Sequence, residues 1–169
     1  MKILVFSDSH GHYERMLRAV RTHLAVGKID RIFFLGDGLH DIVKLSNEFP
    51  TIPLSYVLGN CDEAFTTSEE RASATYEEKV TAGGITFLLM HGHKYDVKYS
   101  YDNALFRAQE TNSDVVLFGH THHAEDNVHD TGFGREIRMI NPGSVTGFRP
   151  SYAVLNVVAG NLVCGFGEL

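Results

Sequence analysis

Short apolar runs alternate with helical periodicity over the first third of the chain. The run Lys2–Ser7 is rich in β-forming residues and is typical of a buried strand. Arg31–Leu35 and Leu54–Leu58 have the same character and predict two more buried strands. Apolar residues recur at helical spacing over His12–Val26, and a second helix is predicted over about His40–Phe49. This alternation predicts βαβ units and a parallel sheet.

The rest of the chain has more turn signals. Gly83-Gly84 separates the runs Tyr76–Ala82 and Ile85–Met90, which is a strong signal for a β-hairpin. A helix over about Ser100–Asn112 and a buried strand over Val115–Phe118 are predicted to follow. The last four predicted strands flank two turns: Asn127–His129 and Glu136–Ile140 around Gly132-Phe133-Gly134, and Tyr152–Val158 and Leu162–Phe166 around Ala159-Gly160-Asn161.

The organisation indicated by these elements is a single domain over residues 1–169, because no repeat, low-complexity tract or linker interrupts them. Early βαβ units followed by hairpins predict an α/β sandwich of two mixed sheets. The polar segment Ala64–Thr75 is expected to be a mobile loop or a ragged short helix.

Side chains that commonly bind metal ions follow the predicted strands. Five strands are each followed, within one to four positions, by an Asp, Asn or His: Asp8 and His10, Asp37, Asn60, His91, and His120 and His122. Loops converge over the carboxyl ends of strands in α/β sheets, so these side chains are expected to form one site. Carboxylate, carboxamide and imidazole ligands suit Mn²⁺, Fe²⁺, Co²⁺, Ni²⁺ or Zn²⁺, whereas an all-oxygen set suits Mg²⁺ or Ca²⁺.

Glycines adjoin these polar residues at Gly36, Gly59, Gly92 and Gly119. Any one of them could be a simple turn after a strand. Their repetition favours positions where the backbone turns sharply or approaches a ligand closely.

Composition narrows the class of function. The formal net charge of −6 argues against a stable nucleic-acid partner, which would need a basic face. A phosphate substrate remains compatible with this charge, since bound divalent metals reverse the sign of a local field. Two cysteines are too few for a disulfide framework, so a cytoplasmic location is expected. No stretch approaches the roughly 20 apolar residues that span a bilayer, so no membrane partner is expected.

Five short motifs carry a family resemblance: Asp8-Ser9-His10, Gly36-Asp37, Gly59-Asn60-Cys61-Asp62, His91-Gly92-His93 and Gly119-His120-Thr121-His122. In this order they resemble the motifs of the calcineurin-like metallophosphoesterase superfamily. The short length and Cys61 are similar to its compact bacterial and archaeal phosphodiesterase branch. Asn141-Pro142-Gly143-Ser144 also resembles a segment found late in these proteins.

The resemblance implies a fold, a metal centre and a reaction. The fold would be a four-layer α/β-β-α sandwich with flanking helices. Asp8, His10 and His122 would hold a first metal, Asn60, His91 and His120 a second, and Asp37 would bridge the two. Mn²⁺ is the expected ion, with Ni²⁺, Co²⁺, Fe²⁺ or Zn²⁺ as alternatives. A metal-bridging hydroxide would then hydrolyse a small or nucleotide-like phosphodiester, with Asp37, Asn60 and His91 as the catalytic group.

Several residues keep two interpretations. Cys61 stands where much of the superfamily has a histidine that assists the leaving group, and it could be only a small buried residue. Asp62 could orient a neighbour or cap a turn, and His93 could contact phosphate or be structural. Possible phosphate contacts, equally explained as surface charge, are Lys94, Arg107 and Arg149.

Two other functions compete with a phosphodiesterase. A phosphomonoesterase would use the same metals, and the sequence hardly separates the two. A non-catalytic interaction scaffold is the rival from another class, as in a relative in the endosomal retromer coat. A scaffold can lose metal ligands, but all seven expected positions carry ligand residues here, which favours catalysis. A homodimer is compatible with the size of the chain, although no sequence feature demonstrates it.

Overall fold

Ten strands in two mixed sheets form the centre of the computed structural model, which describes residues 1–62, 75–132 and 134–169. The strands are β1 (Lys2–Phe6), β2 (Arg31–Phe34), β3 (Leu54–Tyr56), β4 (Glu77–Ala82), β5 (Ile85–Met90), β6 (Val115–Leu117), β7 (Ala124–Asp130), β8 (Glu136–Pro142), β9 (Ser151–Val158) and β10 (Asn161–Glu168). The described helices are α1 (Tyr13–Val26), α2 (Leu39–Glu48) and α3 (Asp102–Glu110), with a 3₁₀ turn at His93–Tyr95.

Each sheet has a parallel centre and antiparallel additions. The first has the order β10-β9-β1-β2-β3, with β1, β2 and β3 parallel. The second has the order β4-β5-β6-β8-β7, with β5, β6 and β8 parallel and antiparallel strands at both edges. The predicted α/β class with two mixed sheets is therefore confirmed. Parallel strands bring their carboxyl ends to one edge, and this places the loops that carry the polar motifs together.

Alternation along β1 shows how the layers form. Ile3 and Val5 point into the core between the two sheets, where the rings of Phe33 and Phe87 lie 5.6 Å apart. Leu4 and the other alternate positions of β1 face α1 and α2, which cover the outer side of the first sheet. The helix α3 covers the outer side of the second sheet in the same way. Burial on both faces explains why the strand is a continuous apolar run, and the order helix, sheet, sheet, helix is the expected four-layer sandwich.

Element boundaries differ from the predictions at several elements, and two strands show the physical reason. The third strand ends at Tyr56 rather than Leu58, because Val57 instead forms an isolated bridge with Thr75. The strand predicted over Asn127–His129 extends over Ala124–Asp130, where it pairs with β8 along its whole length. As an exposed edge strand it carries mostly polar residues, so apolar alternation reveals only part of it.

The turn predicted at Gly83-Gly84 is confirmed, since both residues have positive φ values of 62° and 85°. The segment predicted as a mobile loop lies outside the described residues except for Thr75, and so does Phe133 of the predicted turn. No helix in the described ranges is both long enough and apolar enough to cross a bilayer.

Candidate metal centre

The side chains predicted from the strand ends converge at one edge of the two sheets. Oδ1 of Asp8 lies 3.0 Å from Nε2 of His122, 114 positions later in the chain. Oδ2 of Asp37 lies 3.4 Å from Nε2 of His91, and that nitrogen lies 3.1 Å from Oδ1 of Asn60. The first sheet thus provides the carboxylates and the carboxamide, while the second provides three imidazoles.

His10 and His91 connect the two carboxylates. Nε2 of His10 lies 3.9 Å from both Oδ1 of Asp8 and Oδ2 of Asp37, and Nε2 of His91 lies 4.0 Å from Oδ1 of Asp8. Three sets of donor atoms each fall within 4.8 Å of one another: Asp8, His10 and His122; Asp8, Asp37 and His91; and His10, Asp37 and Cys61. His120 joins the cluster by a ring contact with His91, at a centroid distance of 4.9 Å.

One buried carboxylate oxygen in the cluster accepts no hydrogen bond from the described residues. Asp8 is fully buried, and its Oδ2 accepts hydrogen bonds from Oγ of Ser7 and the backbone N–H of His120. Its Oδ1 has no hydrogen-bond partner among the described residues, although three imidazole nitrogens lie 3.0 to 4.0 Å away. A buried anionic oxygen without a partner is costly, and a cation placed among these nitrogens would satisfy it.

The hydrogen bonding of His91 is also compatible with a bound cation. Its ring is fully buried, and its Nδ1 lies 2.7 Å from the carbonyl oxygen of Leu35. A carbonyl only accepts, so Nδ1 carries the proton and donates. Nε2 therefore faces Asn60 and Asp37, two oxygen acceptors, either as a second N–H or as the lone pair that a metal ion would use.

The electrostatics of the cluster fit a cation site. Burial opposes ionisation of Asp37, yet the contacts with His91 and with the backbone N–H of Cys61 hold its pKa well below the usual range. Burial acts against charge on His91 too, but Asp37 and Asp8 raise its pKa. The pKa of His122 is raised by its contact with Asp8. Burial, with His91 and Lys98 nearby, lowers the pKa of His120 to about 4, so this imidazole is neutral near pH 7, as a metal ligand must be.

The backbone at the strand ends is strained in a consistent way. Eight non-glycine residues in the described ranges have positive φ, and five of them belong to the predicted site: Asp8, His10, Asp37, His120 and His122. This conformation is rare outside glycine, and such residues persist only where the surroundings hold them. The loops bond to one another here, since the N–H of Asp8 donates to Gly36 and that of His10 donates to Asp37.

Asp62 provides much of that support. Its carboxylate is buried and accepts four backbone hydrogen bonds of 2.7 to 2.9 Å, from the N–H groups of Asp37, Gly38, Leu39 and Gly59. It therefore ties the loop after β2 to the loop after β3. Of the two interpretations from the sequence, orientation of a neighbour describes this residue better than a local turn.

Three supporting residues were missed or undervalued by sequence reasoning. Asp41, an acidic residue in the first turn of α2, accepts hydrogen bonds from Oγ of Ser9 and from the N–H of Gly11. Asn141 donates to the carbonyl of Gly119, and Ser144 donates to the carbonyl of Asp8. The segment Asn141-Pro142-Gly143-Ser144 could have indicated this, since it resembles a segment found late in proteins of the superfamily.

Close backbone approach explains the glycines beside the ligand positions. A Cβ added to Gly59 would lie 2.0 Å from Oδ1 of Asp37, and one added to Gly119 would lie 1.9 Å from Oγ of Ser7. A Cβ at Gly36 would lie 2.5 Å from the backbone nitrogen of Gly59. The site is therefore too tightly built for any side chain at these positions.

The possible phosphate contacts have different surroundings. Arg107 is held by Glu77, with Nε 3.1 Å from its carboxylate oxygens, and by Glu110, so surface charge describes it better than phosphate binding. Nζ of Lys94 lies over the ring of Tyr76 at 4.4 Å. Arg149 lines a cleft of about 370 Å³ together with His122, and no hydrogen bond or ion pair joins its guanidinium to another described residue.

The other histidines and Cys61 occupy distinct places. The ring of His93 lies 5.4 Å from that of His91, at the edge of the cluster. Nδ1 of His12 lies 3.1 Å from the carbonyl of Ser9, at the start of α1. Cys61 lines a cavity of about 420 Å³ with His10 and Asp37, and burial together with Asp37 raises the pKa of its thiol to about 11. That value disfavours a cysteine nucleophile near pH 7.

A four-layer sandwich with Asp, Asn and His side chains gathered at the strand ends is the arrangement of a metallophosphoesterase. The chain belongs to the calcineurin-like phosphoesterase superfamily, whose sequence profile matches residues 1–160. This is a family of phosphoester hydrolases, and its fold implies divalent metal ions. The residues present fit such ions, given the buried Oδ1 of Asp8, which accepts no hydrogen bond from the described residues, and the mixed oxygen and nitrogen donors around it.

Individual relatives agree with this assignment. The chain is similar to the probable metallophosphoesterase YsnB of Bacillus subtilis (strain 168), at 34% identity over 162 residues, covering 93% of this chain and 85% of the relative. A conserved uncharacterized protein from Streptococcus pneumoniae TIGR4, a predicted phosphoesterase, has a similar structure, with a TM-score of 0.77, 25% identity, and coverage of 99% of this chain and 88% of that one. A novel archaeal phosphodiesterase shares the fold, with a TM-score of 0.69, 20% identity and full coverage of both chains.

Proposed function

We propose that this protein is a phosphodiesterase that hydrolyses a small or nucleotide-like diester with two divalent transition-metal ions. Asp8, His10 and His122 would hold one ion, Asn60, His91 and His120 the other, and Asp37 would contact both. The observation that carries the proposal is the fully buried Oδ1 of Asp8, which has no hydrogen bond from the described residues and lies among three imidazole nitrogens.

The chain's own residues prepare this chemistry. When bound, two such ions supply Lewis acidity toward the phosphoryl oxygens and lower the pKa of water. Leu35 fixes the tautomer of His91, so that Nε2 points at Asn60 and Asp37. Asp62 holds the backbone of Asp37, which limits its movement during turnover. Such supporting contacts commonly change metal affinity or activity about 10–100-fold when they are removed.

The choice of a diester rests on the wall of the cavity formed by Cys61. A thiol is neutral or negative in every protonation state, whereas the histidine common in the superfamily at this position can be cationic. A monoester dianion gains more from a cation there than a diester monoanion does. The archaeal phosphodiesterase that shares the fold also has this activity. A phosphomonoesterase with the same centre remains the second candidate.

Hydrolysis of matched aryl esters tests the proposal. Metal-stripped protein is assayed with an activated aryl phosphodiester and the matching monoester, before and after Mn²⁺ is restored. Metal-dependent turnover with higher kcat/KM for the diester is the expected result. A preference for the monoester would replace the proposal with the second candidate. No turnover with Mn²⁺, Co²⁺, Ni²⁺ or Zn²⁺, in folded protein that binds them, would favour an interaction scaffold.

Asp37→Ala tests the proposed binuclear metal centre. Because Asp37 would contact both ions, the variant should bind fewer metal ions per chain and lose turnover. The exposed His123→Ala should retain metal content and turnover. Metal content is measured by elemental analysis after dialysis. Full metal content and activity in Asp37→Ala would contradict a binuclear centre.

A further inference from the structure

Cys61 brings a sulfur donor into the cluster that sequence reasoning left without a role. The donor atoms of Cys61, His10 and Asp37 all lie within 4.8 Å of one another. The backbone N–H of Cys61 donates to Oδ1 of Asp37 at 2.7 Å, and its Sγ lies 3.3 Å from Nδ2 of Asn60. Two hydrogen bonds thus hold this residue at the cavity wall, beside two of the proposed metal ligands.

A second observation points to a cation at the same place. Nε2 of His10 lies 3.9 Å from Oδ1 of Asp8, the fully buried oxygen that has no hydrogen bond from the described residues. A cation held by His10 would therefore also relieve the buried charge of Asp8. The Cys61 thiol lines the cavity beside His10, whereas the Asp8 carboxylate is fully buried.

The chemistry of the three donors selects a kind of metal ion. Imidazole and carboxylate donors bind Mn²⁺ more weakly than Co²⁺ or Zn²⁺, and a thiolate adds a further preference for soft ions. An imidazole nitrogen, a carboxylate oxygen and a sulfur form a donor set of the type that zinc accepts, and cadmium has a still higher affinity for sulfur. Replacing the superfamily's histidine by cysteine therefore changes which ions this edge of the site prefers.

We propose that Cys61 completes a His10–Asp37–Cys61 site that captures a thiophilic divalent ion, Zn²⁺ or Cd²⁺, and thereby inhibits the hydrolytic centre. The thiol proton passes to solvent as the sulfur–metal bond forms, and no electron is transferred. The captured ion has three protein donors in addition to the nearby Asp8 carboxylate, so it resembles a closed structural site rather than an open catalytic one. This inference rests on the proposed function in taking His10 and Asp37 as metal ligands.

Cadmium binding with an optical readout tests the inference without relying on activity. Metal-free wild-type protein is titrated with CdCl₂ while the ultraviolet thiolate-to-cadmium charge-transfer band is recorded. Cys61→Ser removes the sulfur and keeps a small polar side chain. Cys164→Ser is the matched control, because Cys164 is the second free cysteine and lies on β10, remote from the cluster.

The expected result is a charge-transfer band in wild type and in Cys164→Ser that is absent in Cys61→Ser. The Cd²⁺ dissociation constant should rise at least about tenfold in Cys61→Ser, the scale on which metal sites respond to lost contacts. Mn²⁺ affinity should be unchanged in both variants, which also shows that they are folded. In Mn²⁺-loaded protein, Cd²⁺ should inhibit wild type at about a tenfold lower concentration than Cys61→Ser.

Other outcomes overturn the inference. A band of equal intensity in Cys61→Ser, or equal Cd²⁺ affinity in all three proteins, would show that Cys61 is not a ligand. If Mn²⁺ binds and supports hydrolysis while no thiolate band forms, this inference fails and the proposed function stands. If neither Mn²⁺ nor Cd²⁺ binds to the folded protein, the proposed function fails with it.

Discussion

Asp62 gives the sharpest test of how the site is held, because one carboxylate carries four backbone hydrogen bonds. Its Oδ2 accepts from the N–H groups of Asp37 and Gly59, and its Oδ1 accepts from those of Gly38 and Leu39. In Asp62→Asn, one oxygen becomes an NH₂ group, which cannot accept. Two backbone donors then lose their acceptor and face a donor instead.

The magnitude follows from the burial of these groups. Asp62 is only 3% exposed, so water does not readily replace the lost acceptor. Leaving a buried donor unsatisfied costs about 1–3 kcal/mol, so two of them should lower the free energy of unfolding by roughly 2–6 kcal/mol. This is a large share of the about 5–15 kcal/mol by which most domains are stable.

The assay is urea unfolding of metal-free protein, followed by far-ultraviolet circular dichroism. Chelator is present throughout, so that the loss reflects the polypeptide and not weaker metal binding. Asp130→Asn is the matched control, because Asp130 accepts one backbone hydrogen bond, from Gly132, at an exposed position. An asparagine oxygen can keep that bond, so a change within about 0.5 kcal/mol is expected. A loss below about 1 kcal/mol in Asp62→Asn would refute the role assigned to its carboxylate.

Two further predictions concern the site itself. Gly59→Ala places a Cβ 2.0 Å from Oδ1 of Asp37, so it should weaken Mn²⁺ binding at least about tenfold, as measured by isothermal titration calorimetry. In the control Gly165→Ala, no heavy atom lies within 4 Å of the added Cβ, and Mn²⁺ affinity should not change. Equal Mn²⁺ affinities in the two variants would mean that the Asp37 carboxylate is not a ligand. Arg149→Ala removes a guanidinium that has no partner among the described residues, and it should raise KM for the diester by about tenfold at nearly constant kcat. The control Arg18→Ala, at an exposed position, should leave KM unchanged. An unchanged KM in Arg149→Ala would place the substrate away from the cleft that Arg149 lines.

The positions of the candidate ligands could be predicted because they depend on strand ends, which a linear sequence reveals. Asp8 follows an apolar run that is typical of a strand buried on both faces, and His91 follows another. The parallel centre of each sheet then brings such ends to one edge. The pairing of distant residues, such as Asp8 with His122, came only from the family resemblance, because no periodicity links positions 114 residues apart.

The supporting residues are harder to predict for a physical reason. Asp41, Asp62 and Asn141 act on the backbone of other loops, and a backbone N–H or carbonyl has no signature in the sequence. Asp and Asn are also common at ordinary turns and helix starts, so their presence in the sequence does not by itself indicate support of a site. Their role becomes visible only when the loops lie next to each other. Edge strands such as β7 were underestimated for a related reason, since pairing rather than apolar pattern defines them.

Backbone strain connects these supporting residues to function. Five of the candidate ligand residues have positive φ without being glycine, and such a conformation costs on the order of 1–3 kcal/mol at a strained site. A bound ion would be held through side-chain donors rather than through that backbone. Within the polypeptide, Asp62 accepts from the N–H of the strained Asp37, and Ser144 donates to the carbonyl of the strained Asp8. Asp41 and Asn141 bond to the backbone of Gly11 and Gly119, each next to a strained histidine. We therefore expect metal ions to enter a site whose shape the polypeptide already sets.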